Sequence, residues 1–253
     1  MKFSIVTCTY NSDKYLQKNI DSVRNQIFDD FEHIFIDGFS TDKTLEIIEK
    51  YRQEFPEKVK LFQYPAKGIG NAMNKGVERS SGEYINHLHS DDSFYDNNVL
   101  LNIDQFTREK KDYPDLIYGK AKFISENSLF KIIPHRRIYH KFRYWLLLLT
   151  NYIPHQATFV KKTVFEKYGL FNEKYKNSMD YEMWLRLSKG KVNSCFFNSI
   201  ISNFSMRTDS QSAIGGKNSV IENIDIQKKY IGSKLLRLFL VFIIKMNSKR
   251  KLV

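Results

Sequence analysis

Between residues 2 and 88 the chain alternates short apolar runs with segments of helical periodicity, and that alternation restricts the fold more than any other feature. Residues 2–8 read as a strand apolar enough to be central. Leu16, Ile20, Val23 and Ile27 then recur along one face of a helix. Residues 31–36 form a second strand, followed by a helix that Ser40, Thr41 and Asp42 are placed to cap and on which Leu45, Ile48, Tyr51 and Phe55 face one way. A third strand covers 59–62, Lys67-Gly68-Ile69-Gly70 opens a helix through Met73 and Val77, and a fourth strand covers 83–88. Strands separated by helices pair in parallel, so the expected fold is α/β, with a mostly parallel central sheet flanked by helices. Ligands of such sheets bind at the carboxyl ends of the strands. Here those ends carry Thr9 and Asn11, Asp37-Gly38, and Asp91-Asp92.

Asp91 and Asp92 repel each other unless a positive charge sits beside them. Mg²⁺ binds through one or two carboxylates plus substrate phosphates, which makes a cation carrying a diphosphate one solution. The other is a solvated Ser-Asp-Asp turn that starts the next helix as a cap. There is no GxxxxGK[ST] loop, and Lys67-Gly68-Ile69-Gly70-Asn71 lacks the full G-x-G-x-x-G pattern, which disfavours P-loop enzymes and dinucleotide-dependent dehydrogenases. Asp37 is either a ligand for a base or ribose or an ordinary Asp-Gly turn residue.

The 253 residues suffice for one large domain or two small ones, and 42% hydrophobic with 27% charged residues is an ordinary globular composition. Cys8 and Cys195 are too few for a disulfide framework or a four-ligand zinc site and are expected as buried thiols in a reducing cytoplasm. Met1-Lys2 leads straight into a strand pattern, with no secretory signal. The net charge of +12 is uneven: residues 1–100 carry 12 Lys/Arg and 16 Asp/Glu, and residues 101–253 carry 28 and 12. The second half therefore suits an anionic partner such as a membrane surface, a nucleic acid or a phosphorylated substrate.

Several segments in order resemble the family 2 glycosyltransferases and their nucleotide-sugar-binding GT-A fold. They are Ser4-Ile5-Val6-Thr7-Cys8-Thr9-Tyr10-Asn11, Ser22-Val23-Arg24-Asn25-Gln26, Ile36-Asp37-Gly38-Phe39-Ser40-Thr41-Asp42, the Lys67 to Gly76 stretch, and Ser81-Gly82-Glu83-Tyr84-Ile85 leading to Ser90-Asp91-Asp92. His155-Gln156-Ala157-Thr158-Phe159-Val160 and Asp180-Tyr181-Glu182-Met183-Trp184-Leu185-Arg186-Leu187 complete the set, and the likeness covers roughly residues 2–205. The likeness is strongest to bacterial surface-polysaccharide transferases of the O-antigen, capsule and exopolysaccharide kind.

The resemblance implies a metal-dependent, inverting transfer of a sugar from a nucleotide-sugar donor, a UDP-sugar, to a hydroxyl of a lipid-linked saccharide acceptor. By position it implies that Thr9, Asn11 and Asp37 hold the uracil and ribose end of the donor. Lys67 either neutralises the diphosphate or is a solvated loop lysine. Asp91 and Asp92 would hold Mg²⁺ or Mn²⁺, Asp92 as the more direct ligand and Asp91 also on the donor. Asp180 would be the general base, and His155 and Gln156 would line the acceptor side. Asp180 and Glu182 are two apart, so on a helix only one of them can face the site. His89 stands where many relatives carry Asp or Asn, either as a packed imidazole or as a nitrogen ligand that favours Mn²⁺. Ala66 and Asn71 replace Asp residues of near relatives.

The expected organisation is a nucleotide-sugar half at 1–100, an acceptor and catalytic-base half at 101–205 of the same domain, and a basic helical extension at 206–253. Its segment 238–244 is seven uninterrupted apolar residues flanked by Lys and Arg. That is well short of the ~20 residues of a spanning helix, and it suits a helix lying on an anionic leaflet or one packed on the domain. The expected location is cytoplasmic, peripheral on the inner face of the membrane. Two other readings are a non-catalytic nucleotide-sugar-binding relative and a basic nucleic-acid-binding protein; no nucleic-acid motif supports the latter.

Overall fold

The computed structural model describes residues 1–125, 142–206 and 216–231. Eight strands form one sheet: β1 (Phe3–Thr9), β2 (Phe31–Asp37), β3 (Val59–Gln63), β4 (Tyr84–His87), β5 (Ser93–Phe94), β6 (Leu116–Ser125), β7 (Thr158–Lys161) and β8 (Ser194–Met206). Their order across the sheet is β3-β2-β1-β4-β7-β6-β8-β5. Helices α1 (Asp13–Arg24), α2 (Thr44–Glu54) and α3 (Ile69–Arg79) connect the first four strands, which all pair in parallel as the alternation requires. Further on come α4 (Val99–Arg108), α5 (Tyr144–Leu149), α6 (Lys162–Tyr168), α7 (Met179–Lys189) and α8 (Gly216–Tyr230).

Every residue of β1 and β2 is buried, and the polar ones pair across the strands, Ser4 Oγ donating to Glu32 Oε1 at 2.6 Å and Thr7 Oγ1 lying 2.9 Å from His33 Nε2. Val6, Cys8, Ile34 and Ile36 pack on one face with Met73 and Val77 of α3. On the other face, Leu16 and Ile20 of α1 meet Phe35, Ile48, Tyr51 and Val59. Gly76 lets α3 lie close on the sheet, since a Cβ there would collide with Val6 Cγ1. The register aligns Thr9 with Asp37, so two polar strand ends finish side by side.

The second half departs from simple parallel pairing. β7 runs antiparallel to both β4 and β6, while β6 and β8 pair in parallel and β5 runs antiparallel to β8. Three local expectations are corrected. Ile27 lies beyond α1, 64% exposed, because the chain turns at Asn25 and the Gln26 amide ties that turn to the carbonyls of Ser22 and Asp96. Of Ser40, Thr41 and Asp42 it is Asp42 that meets the next helix, its Oδ1 accepting from the N–H of Thr44, the first helical residue, at 3.0 Å, while Ser40 bonds to Asp37 instead. Asp91-Asp92 does not start a helix; it leads into β5, and α4 begins at Val99.

Cys8 is buried and its thiol is pushed up to about 12 by that burial, whereas Cys195 is only half-buried; both are free. Among the described residues no helix is long and apolar enough to cross a membrane. The apolar segment 238–244 and its basic flanks lie outside the described residues.

Candidate active site at the carboxyl edge of the sheet

Asp37 organises the first part of the site. It is fully buried at the end of β2, and its carboxylate accepts hydrogen bonds from Thr9 Oγ1 at 2.8 Å, Ser40 N at 2.9 Å and Ser40 Oγ at 2.6 Å. Ser40 Oγ in turn accepts from Asn11 N at 2.9 Å, and Asn11 Oδ1 accepts from Thr41 N at 2.9 Å. The turns after β1 and β2 are thereby stitched into one loop pair. Two non-glycine residues there, Asn11 (φ 49°) and Phe39 (φ 63°), adopt left-handed backbone, a conformation that asparagine tolerates and a bulky residue seldom takes. Gly38 passes beneath Tyr10, where a Cβ would come within 3.0 Å of the ring. Tyr10 and Phe39 are left 61% and 52% exposed.

The second part is the turn after β4. Asn19, fully buried on α1, donates from Nδ2 to the carbonyls of His89 at 2.8 Å and Asp92 at 3.2 Å. Thr7 Oγ1 donates to Leu88 O at 2.9 Å, and Asp92 N closes the turn onto His89 O at 2.9 Å. From the far side, Ser205 near the end of β8 donates its N–H to Asp92 Oδ1 at 3.0 Å and its hydroxyl to Asp91 O at 2.6 Å. Asp92 is 1% exposed, whereas Asp91 is half-buried. Among the described residues no three His, Cys, Asp or Glu side chains cluster as a self-sufficient metal site. Two adjacent carboxylates are a hard-oxygen donor pair, which fits a divalent cation whose other ligands are diphosphate and water.

The third part is the start of α7. Asp180 Oδ2 lies 3.7 Å from His155 Nδ1 and accepts from Asn151 Nδ2 at 3.2 Å, while Oδ1 accepts from Tyr181 N at 2.7 Å. The His155 ring sits against that of His89, with centroids 4.5 Å apart. A path of side chains thus connects Asp180 to the Asp91-Asp92 turn. Desolvation, with His155 and His87 nearby, holds the His89 imidazole well below its ordinary pKa. Glu182 faces elsewhere. It is 2% exposed and is engaged by Arg186 at 3.1 Å, Lys229 at 3.3 Å and Tyr230 Oη at 2.5 Å.

Gln156 is buried, and its carbonyl accepts from Asn86 Nδ2 at 3.2 Å, which ties the 3₁₀ turn His155–Ala157 to β4. Lys67 is exposed on the loop before α3, next to Gly68 at φ 99°. Asn71 bonds to both oxygens of Glu173 at 3.1 Å. Sequence reasoning missed Asn19, Asn151 and Ser205. Asn19 did leave a signal, since it falls on the i, i+3, i+4, i+7 stripe with Leu16, Ile20 and Val23 and so marks a polar group turned inward. Asn151 and Ser205 left none.

The profile of the family described as Glycosyl transferase family 2 matches residues 4–169. A PGL/p-HBAD biosynthesis glycosyltransferase of Mycobacterium bovis is 29% identical over 244 residues, covering 96% of this chain and 89% of that protein. A chondroitin synthase of Pasteurella multocida is 30% identical over 89% of this chain, which spans only 22% of that longer protein. Among solved structures, S. aureus TarS with UDP-GlcNAc superposes with a TM-score of 0.72 at 21% identity, covering 89% of this chain and 64% of that one, less than two thirds of its length. A Pyrobaculum calidifontis mannosyltransferase with GDP-Man and Mn²⁺ gives 0.70 at 12% identity over 96% of this chain and 69% of that one. These likenesses establish the GT-A fold, and with the profile match the chain belongs to glycosyl transferase family 2.

Proposed function

We propose that this glycosyltransferase moves a sugar from a UDP-sugar to a hydroxyl of a lipid-linked saccharide, with inversion at the anomeric carbon, in the assembly of a bacterial surface glycan. The observation that carries the reading is the path from Asp180 through His155 and His89 to the Asp91-Asp92 turn. It couples one carboxylate suited to a proton to a pair suited to a cation on a diphosphate.

In the proposed reaction the acceptor oxygen forms a bond to the anomeric carbon as the bond from that carbon to the diphosphate oxygen breaks. Asp180 takes the acceptor's proton, and UDP departs. General-base assistance of this kind contributes about 10²–10⁴-fold. Asn151, His155 and the Tyr181 N–H hold the Asp180 carboxylate in place. Asp91 and Asp92 would hold Mg²⁺ or Mn²⁺, Asp91 being the more accessible and Asp92 the more firmly oriented. When bound, the cation supplies positive charge against the leaving diphosphate. Thr9, Asn11 and Asp37, at the joined ends of β1 and β2, are assigned to the nucleoside, with Asp37 acting through the loop pair it braces. Lys67 is assigned to the diphosphate, and His155 with Gln156 to the acceptor side.

UDP-GlcNAc accompanies TarS and GDP-Man with Mn²⁺ accompanies the mannosyltransferase, which supports a nucleotide-sugar donor and a divalent cation here. The PGL and chondroitin relatives support a surface-glycan role. The basic tail is assigned to the anionic membrane where a lipid-linked acceptor resides. The test is a thermal-shift screen of UDP-, GDP- and dTDP-sugars with and without Mn²⁺. Metal-dependent stabilisation by UDP-sugars alone supports the assignment. A shift with another nucleotide class overturns the UDP donor, and no shift with any of them in the folded protein overturns the transferase reading.

A further inference from the structure

Helix α8 grips the segment that carries Asp180 from both sides without bonding to Asp180 through any contact described. Before it, Glu222 Oε1 accepts from Lys176 N, and Glu222 Oε2 accepts from Asn177 N and Ser178 N, each at 2.9 Å. One carboxylate therefore collects three consecutive backbone N–H groups, ending at the residue that immediately precedes α7. After it, Gln227 Nε2 donates to Tyr181 Oη at 3.1 Å and to Leu148 O at 3.0 Å. Lys229 and Tyr230 hold Glu182, as described above. Asp225 adds a more exposed contact, accepting from Lys174 Nζ and Tyr175 Oη at 3.0 Å. Ile226 anchors the helix, fully buried in the main core.

A carboxylate beside a helix N-terminus is stabilised by the amide dipoles, and charge-assisted bonds to N–H groups are stronger than neutral ones. Charge-assisted clamping of residues 176–178 fixes the entry of the chain into α7 and hence the direction in which Asp180 projects. Proton transfer requires the base within ~2.6–3.2 Å of the hydroxyl it serves, and a misplacement of ~1 Å can cost about 10²-fold in rate.

We infer that Glu222 is a positioning residue for the transfer reaction, holding Asp180 at its working position. This rests on the reading of Asp180 as the base. Glu222→Gln keeps the size of the side chain but turns one of its acceptor oxygens into an N–H₂ donor facing N–H donors.

The experiment measures UDP release from UDP-GlcNAc, UDP-Glc and UDP-Gal by the full chain with Mn²⁺, water being the acceptor, alongside titration of UDP-Mn²⁺ binding. The variants are Glu222→Gln, Glu222→Asp, Asp225→Asn, Asp180→Asn and Asp180→Asn/Glu222→Gln. The expected result is a kcat about 10–100-fold lower in Glu222→Gln with donor KM and UDP affinity within about twofold, and a smaller loss of the same kind in Glu222→Asp, which keeps the charge but is one methylene shorter. Asp225→Asn is expected to keep the wild-type rate. The double variant is expected to be no slower than Asp180→Asn, because Glu222 acts through Asp180. A Glu222→Gln enzyme at wild-type kcat, beside an inactive Asp180→Asn, overturns the positioning role alone. So does a parallel loss of donor affinity and rate, which marks general loosening. Full activity in Asp180→Asn overturns the base and the positioning role together. Where Glu222→Gln does not fold, Glu222→Asp gives the same split of kcat against KM.

Discussion

Asp180 and Glu182 stand two residues apart on α7 and face different parts of the molecule. Asp180 Oδ2 lies 3.7 Å from His155 Nδ1 at the candidate site, while Glu182 Oε2 pairs with Arg186 at 3.1 Å on the side covered by α8. Of the two carboxylates only Asp180, the proposed base, faces the candidate site, while Glu182 is held inside the fold.

Glu182→Ala is expected to damage stability rather than donor binding. It leaves the Arg186 charge with less compensation in a largely buried setting, and breaking a buried pair costs about 3–5 kcal/mol. Lys229 is 52% exposed and solvent screens its share, so the expected loss is about 3 kcal/mol, the lower end of that range. Urea midpoints, at unchanged UDP affinity per folded molecule, check this.

Asn19→Leu is expected to loosen the turn that carries Asp91 and Asp92. It removes the donor to the carbonyls of His89 and Asp92 inside a dry environment, at a cost of about 1–3 kcal/mol. Isothermal titration with UDP and Mn²⁺ is expected to show at least about tenfold weaker binding, since 1.4 kcal/mol of misplacement corresponds to that factor. Unchanged affinity would mean that the turn holds its shape without Asn19.

Stability is expected to fall in mild acid. Burial pushes the imidazoles of His33 and His87 down to about 3. An unfolded histidine titrates near pH ~6.5, so between about pH 6.5 and 3 the unfolded chain binds more protons than the folded one. Stability contributed by each neutral imidazole is therefore complete above that range and is lost progressively as pH falls through it. His33→Gln is expected to flatten the dependence by up to about 1.4 kcal/mol per pH unit, measured by urea unfolding at pH 7, 5 and 4.

How far the sequence reveals this molecule depends on whether a feature is local. β1 to β4 and their helices are legible because short, largely apolar β-rich segments alternate with helices that write a 3.6-residue stripe. The polar residues at the strand ends follow from the same reading, since Thr9 and Asp37 finish in register. Ile27 fits the stripe of α1 but lies outside it, because the side-chain amide of Gln26 stabilises a turn that periodicity does not encode. The antiparallel insertion of β7 between β4 and β6 is set by pairing across long chain separations, as is the grip of Ser205 on Asp92. Glu222 reads in sequence as one more helical acid, and only the packing of α8 against α7 gives it three N–H partners.

Asp180 is proposed as the base of the transfer. The direct measurement is single-turnover sugar transfer by Asp180→Asn, with UDP-sugar and Mn²⁺ binding titrated in the same preparation. Donor affinity is expected within about twofold of the wild type and the transfer rate lower by about 10²–10⁴-fold, the usual worth of a general base. A rate within a few-fold of the wild type at full donor occupancy would contradict it and move the base to another residue.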